Sequence, residues 1–278
     1  MLASVPDLLF RLRSGERLIA DGAVGTELIR LGVDRSQLSG ANILDPGLVK
    51  GVHHSYLMQG CRLLTSNTFL CDGTPAGSKA LELGFAHALE CTGSVEQPIY
   101  LMLSVACGTL TEIHANAVKA VASDNFVLWI ETTVSLEAGI AEVEKAVGFG
   151  FRNIGLSFCP SHWLGQMSPA QLADARAVLD DTNVSLIGLN CGLKSDDFVS
   201  CFRNLRSITE LPIAAQPSAG EPAVTAEGHL RYPLQPGEFA DLGMQLFSLG
   251  ANVVGGCCGT SPAHIRQLAQ RNYITKDK

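Results

Sequence analysis

The apolar residues of this chain gather in short, nearly unbroken runs. Eight of them, at 18–21, 61–66, 99–105, 126–131, 153–158, 185–190, 212–216 and 252–256, carry little charge before their last residue. Runs of this kind fit strands covered on both faces, as in a parallel sheet. Between them lie segments with helical spacing, at 46–59, 75–90, 113–123, 135–149, 169–181, 196–209, 236–249 and 262–271. Ser168-Pro169 and Ser261-Pro262 read as an N-cap followed by proline at the first helical position. Eight strand-then-helix units predict an α/β fold, a single-domain (β/α)8 TIM barrel over residues 1–278, with an open doubly wound sheet as the alternative. The stretch 217–236, rich in Gly, Pro and Ala, is long for a connection in such a fold and therefore a candidate for function.

In a barrel of this class the active site lies at the C-terminal ends of the strands. Those ends carry Asp21, Ser66-Asn67-Thr68, Ser104, Glu131-Thr132-Thr133, Ser157, Asn190-Cys191, Gln216 and Cys257-Cys258.

Composition narrows the classes. With 278 residues, 46% of them hydrophobic, the chain can bury a full core. No apolar run approaches the ~18 residues that span a membrane. Asp7, Arg11 and Arg13 interrupt the N-terminal segment, and Leu8, Leu9 and Leu12 fit one helical face, so it does not read as a secretory signal. A cytoplasmic location is expected. The net charge of −7 and the absence of a basic run argue against nucleic acid and anionic membrane partners. Nine cysteines, an odd number, are expected as thiols. Cys61, Cys71, Cys91, Cys107, Cys159 and Cys201 lack ligand-like spacing and are read as small apolar fillers.

The remaining three differ. Cys191 stands in Gly188-Leu-Asn-Cys-Gly192, and Cys257-Cys258 in Gly255-Gly-Cys-Cys-Gly-Thr260, each just past a strand run. Three thiolates gathered within roughly 4 Å suit a zinc ion, and a site with three protein ligands keeps one position open. A vicinal disulfide or a chance pair of core cysteines is the plainer alternative. An incoming thiol at the open position would lose its proton. None of the seven histidines has ligand spacing; His53-His54 is expected to be partly exposed within a helix, and His264 to lie on a helix surface. Asp21, opening the turn Asp21-Gly-Ala-Val-Gly-Thr26, and Glu131, ending Phe126-Val-Leu-Trp-Ile-Glu131, are candidates to hold a substrate ammonium group. Each is equally readable, taken alone, as a capped or solvated strand end.

The segments at 21–26, Thr65-Ser-Asn-Thr-Phe69, 131–138, 188–192 and 255–265 together resemble the homocysteine S-methyltransferase family, in order and along nearly the whole chain. The two cysteine motifs carry most of the specificity. The resemblance implies a (β/α)8 barrel with Zn2+ on Cys191, Cys257 and Cys258, and homocysteine bound through its sulfur. It implies Glu131 at the substrate amino group, Asp21 as the acidic residue of the first motif, and Asn67 lining the pocket. Backbone N–H groups near 22–26 or 66–68 are candidates for the carboxylate. Two segments depart from the family pattern: 103–109 lacks the usual Gly-Ser-x-Gly-Pro turn, and Pro217-Ser-Ala-Gly220 stands where Pro-Asn-Ala-Gly is usual. The sequence is accordingly read as a zinc-dependent methyltransferase acting on small molecules, homocysteine and a methyl donor. S-methylmethionine or S-adenosylmethionine is the first donor; betaine or a separate methyl-corrinoid protein is the alternative. Rival readings are a zinc-thiolate hydrolase or lyase, and a thiol-binding relative without turnover.

Overall fold

The computed structural model describes residues 2–121, 125–160, 168–192, 195–225 and 230–276. Its strands are β1 (Leu18–Ile19), β2 (Leu63–Thr65), β3 (Tyr100–Ala106), β4 (Val127–Thr133), β5 (Ile154–Phe158), β6 (Val184–Cys191), β7 (Ile213–Pro217), β8 (Ala223–Val224), β9 (Leu230–Arg231) and β10 (Val253–Val254). Its α-helices are α1 (Val5–Arg13), α2 (Val24–Arg30), α3 (Ala41–Leu44), α4 (Pro46–Leu57), α5 (Pro75–Cys91), α6 (Glu112–Val121), α7 (Leu136–Gly148), α8 (Pro169–Asp180), α9 (Ser195–Ser207), α10 (Pro236–Ser248) and α11 (Pro262–Lys276).

Eight strands form one parallel sheet in the order β1-β10-β7-β6-β5-β4-β3-β2. A bridge between Ala20 and Leu63, with Arg62 N donating to Ile19 O at 2.7 Å and Asp21 N to Leu63 O at 3.0 Å, brings β2 back to β1. The result is the single-domain TIM barrel that the eight apolar runs predict, and every run overlaps its strand. No helix among the described residues is long and apolar enough to cross a membrane.

Strand alternation sorts the residues into two cores. One face of each strand packs outward on the helices, in a cluster that includes Ile19, Leu64, Leu103, Ile130, Ile187 and Ala215. The other face fills the barrel with Leu18, Leu63, Tyr100, Met102, Val127, Trp129, Leu186, Ala214 and Val253. Gly155 and Gly188 make room for Trp129, since a Cβ at either would lie within 2.6 Å of its ring. Helix α1 closes the N-terminal end. Leu8 and Leu12 join the interior cluster, Tyr100 Oη donates to Asp7 Oδ2 at 2.6 Å, and Asn252 Nδ2 donates to Leu12 O at 2.8 Å.

Several features lie beyond the periodicity. Helices α2 and α3 occupy a connection with no predicted helix; both are short, and buried Val24 and Leu28 form only one turn of apolar spacing. The long connection after β7 holds an exposed antiparallel hairpin, β8 with β9. Residues 226–229 of that stretch, and 122–123 of the predicted helix 113–123, lie outside the described residues. Two histidine expectations are corrected. His53 is fully buried, while His54 is exposed, because α4 turns the apolar side with Val49, Val52 and Tyr56 inward and His53 falls on it. His264 is buried too, its Nε2 3.0 Å from Leu234 O and its ring edge-on to Phe239.

Candidate metal centre and substrate pocket

The mouth of the barrel is the next layer up each strand. Residues two positions beyond the apolar interior ring are Thr65, Ser104, Glu131, Ser157, Asn190 and Gln216. They keep the inward direction of Leu63, Met102, Trp129, Gly155, Gly188 and Ala214, so polar groups line the opening above an apolar plug.

The three thiols meet at this opening. Cys191 ends β6, opposite Pro217 of β7. The pair Cys257-Cys258 follows β10, and Cys257 N donates to Pro217 O at 2.9 Å, so Pro217 lies between both cysteine segments. The Sγ atoms of Cys191, Cys257 and Cys258 all lie within 4.8 Å of one another, and those of Cys257 and Cys258 are 3.9 Å apart. They form the one cluster of metal-ligand type found among the described residues. Zn–S bonds of about 2.3 Å set tetrahedral sulfurs roughly 4 Å apart, so the spacing fits such an ion. The other cysteines stay outside: Cys61, Cys71, Cys91, Cys159 and Cys201 are buried and Cys107 is half-buried.

The thiols share charge unevenly. Hydrogen bonds from Cys257 and Cys258 pull the Cys191 thiol well down, and the same contacts hold Cys257 and Cys258 above the usual thiol range. Thiols this close to one another would release their protons to a bound cation. Ser218 Oγ also donates to Cys191 Sγ at 3.8 Å.

Glu131 is held beside them. Its Oε2 accepts from Asn190 Nδ2 at 2.9 Å, and its Oε1 accepts from Ser104 Oγ. Asn190 is itself fixed, its Oδ1 taking Ser157 Oγ at 2.7 Å and Thr132 N at 3.0 Å. Burial, and then the Cys191 charge, push the Glu131 carboxyl up to about 7. Thr132 and Cys191 have φ of 60° and 64°, a left-handed conformation that branched or bulky residues rarely adopt. The β4–β5 register shifts over the same residues, between Ile130 and Thr133. Strain of this kind costs on the order of 1–3 kcal/mol per residue and persists where surrounding bonds enforce it. Here Asn190 supplies those bonds, next to both Glu131 and Cys191.

Asp21 is fully buried, and Thr65 bonds to both of its oxygens, from N and from Oγ1, each at 2.8 Å. Burial raises its carboxyl to about 7, and the Glu131 charge adds to the shift. The two carboxylates therefore feel each other across the mouth. Asn67 lies further back. Its Nδ2 donates to Leu38 O at 2.8 Å and to Asn42 Oδ1 at 2.9 Å, so both N–H bonds tie the wall together. The N–H groups of Ala23, Ser66 and Thr68 are spent on Thr260 Oγ1, Met102 O and Ser66 O. Gln216 presents the opposite case: it is buried and its Oε1 has no partner.

Three contributors are not signalled by the sequence pattern. Ser104 and Asn190 are visible as strand-end polar residues, but nothing in their spacing marks them as partners of Glu131. Tyr232 follows the β8–β9 hairpin and stands over the turn after Cys258; a Cβ on Gly259 would lie 2.0 Å from its ring. No periodicity extends into that loop.

Known proteins resemble this chain in sequence and in fold. A family model described as homocysteine S-methyltransferase matches residues 18–272. A methionine synthase from Mycobacterium tuberculosis is 27% identical over 289 residues, covering 91% of this chain but 24% of that protein. The chain thus spans about a quarter of that relative, and the same share of the methionine synthase of Mycobacterium leprae. A homocysteine S-methyltransferase from Escherichia coli is 26% identical, with 92% of this chain and 95% of that protein covered. In fold, the chain is similar to the crystal structure of the E. coli homocysteine methyltransferase MmuM in its oxidized form, with a TM-score of 0.73 at 20% identity over 92% of this chain and 96% of that one. The metallated form gives 0.71 at 18% identity over the same shares. With the family model spanning most of its length, the chain belongs to the homocysteine S-methyltransferase family.

Proposed function

We propose that this barrel transfers a methyl group to the sulfur of homocysteine, giving methionine, with zinc held by Cys191, Cys257 and Cys258. The observation that carries the proposal is the convergence of these thiols within 4.8 Å at the ends of β6 and β10, beside a carboxylate fixed by Asn190. The ion would supply Lewis acidity that keeps an arriving thiol deprotonated at neutral pH.

The chain's own residues do the rest. Glu131, and Asp21 behind Thr65, give the mouth a negative potential for the ammonium group of an amino acid. Both carboxyls are raised to about 7 without a cation, so an ammonium group draws them into their charged form. Ser104 and Asn190 hold Glu131 in one orientation, which fixes the amino acid and points its thiol toward the cysteines. The acceptor sulfur attacks the methyl carbon in line, and the donor leaves with the electron pair. No residue is needed as general base at that step.

A sulfonium donor, S-methylmethionine or S-adenosylmethionine, suits this acidic mouth best, because its positive charge activates the methyl group. A methyl-corrinoid protein, carried on a separate module, is the second reading; this chain matches about a quarter of two methionine synthases, which leaves room for such a module in a larger assembly. The test is a panel of S-methylmethionine, S-adenosylmethionine, betaine and methylcobalamin with homocysteine, on zinc-loaded and chelated protein. Methionine formed from at least one donor, and lost on chelation, is expected. Homocysteine binding without methionine from any donor contradicts methyl transfer; metal-dependent turnover without a methyl acceptor indicates a hydrolase.

A further inference from the structure

A methyl acceptor site built from cysteines faces a problem of selectivity. On the reading above, the incoming thiol joins three protein sulfurs of the same chemistry. Transfer to a ligand cysteine would form an S–CH3 bond on the protein, break the donor's carbon–leaving-group bond and disable the site. Proximity alone does not prevent this, since all three Sγ atoms lie within 4.8 Å.

Two hydroxyls address two of those sulfurs. Ser218, 4% exposed, donates from Oγ to Cys191 Sγ at 3.8 Å. The Tyr232 side chain, packed on Gly259, brings its hydroxyl next to the Cys258 thiol. Its position is enforced from several sides. The ring lies against Gly259, whose φ of +79° and missing Cβ admit it. Ala219 N donates to Cys258 O at 2.8 Å, Leu234 N to Ala219 O at 3.0 Å, and His264 Nε2 sits 3.0 Å from Leu234 O. The outgoing and returning arms of the 218–234 strap are thus both fastened beside the cysteine turn, and each delivers one hydroxyl. Among the described residues no hydroxyl bonds to Cys257.

We infer that Ser218 and Tyr232 are positioning residues that withdraw electron density from Cys191 and Cys258, steering methyl transfer away from the protein sulfurs and onto the substrate thiol. A donated hydrogen bond is strongest to the charged form of its acceptor and weakens as that charge is lost. Alkylation of a bonded thiolate must give up that stabilisation on the way to the transition state, which slows it. The incoming thiol, which has no hydroxyl assigned to it, keeps its reactivity. The inference rests on the methyl-transfer reading for its purpose, but the chemistry it predicts is readable without homocysteine.

The test uses methyl iodide on zinc-loaded full chain without homocysteine, with zinc content measured throughout. The methyl group passes to a cysteine sulfur and iodide departs with the electron pair; peptide mass spectrometry with fragmentation reads each cysteine. Ser218→Ala is expected to speed methylation of Cys191 about tenfold and leave Cys258 unchanged; Tyr232→Phe, which keeps the ring on Gly259, is expected to do the reverse. Cys257 serves as the internal reference. Unchanged rates at the named cysteine in both variants overturn the inference, as does an equal rise at all three accompanied by zinc loss, which would report an opened site. Failure of the function reading is separate: it shows as absence of methionine from every donor in wild-type protein while the cysteine-selective pattern stands.

Discussion

Two rings of the same barrel, two residues apart along each strand, have opposite characters. The lower ring is apolar and filled, with Trp129 at its centre of bulk between Gly155 and Gly188, and α1 closing it from below. The upper ring is polar and hydrogen-bonded, and holds the raised carboxyls, the two left-handed non-glycine residues and the thiols. The lower ring makes the barrel stable. The upper ring stores strain and unfavourable charge that the lower ring must support. Stability and function should therefore separate by layer on the same strands.

The largest effect that would break this separation is at the thiols. Cys257→Ala or Cys258→Ala is expected to abolish detectable methyl transfer and zinc retention, with a stability change of no more than about 1 kcal/mol in the metal-free protein. Full zinc occupancy in either variant, measured by metal analysis, would remove the pair from the centre. Next comes the lower ring. Trp129→Ala is expected to cost about 3–5 kcal/mol of unfolding free energy in urea, because Gly155 and Gly188 offer no side chain to refill the space. A loss below ~1 kcal/mol would mean that the ring is not the structural support described here.

A smaller effect sharpens the upper ring. Glu131→Gln is expected to weaken homocysteine binding by about 2 kcal/mol, roughly thirtyfold, through loss of a charge beside the ammonium group, while zinc content stays constant. Unchanged affinity would reassign Glu131 to support of Asn190 alone. The smallest effect is in pH dependence. The folded Asp21 carboxyl, at about 7, lies above its ordinary value of 3.8. The folded state thus binds its proton more tightly, and this contribution to stability is present below ~pH 4 and is lost as pH rises through ~7. Relative to Asp21→Asn, wild-type protein should lose stability between those values. A parallel pair of stability curves would show that Asp21 is not buried in its proposed state.

The fold was legible because parallel strands covered on both faces leave continuous apolar runs, and all eight do. The thiols were legible too, since cysteines set in glycine at strand ends are rare by chance. Helices α2 and α3 were not, because a single turn of apolar spacing carries no periodicity. His53 was misplaced because its polar ring outweighed its position, although Val49, Val52 and Tyr56 at helical spacing put it on the buried face of α4. The hydrogen-bond economy of the mouth was also hidden. The two N–H bonds of Asn67 to Leu38 and Asn42 are not visible in the sequence, and Tyr232 enters from a loop with no pattern.

X-ray absorption at the zinc edge, on stoichiometrically loaded protein before and after homocysteine, bears most directly on the three-thiol centre. The account predicts three sulfur neighbours of zinc without homocysteine and four with it. Fewer than three in the free protein, or no added sulfur on homocysteine binding, would contradict it.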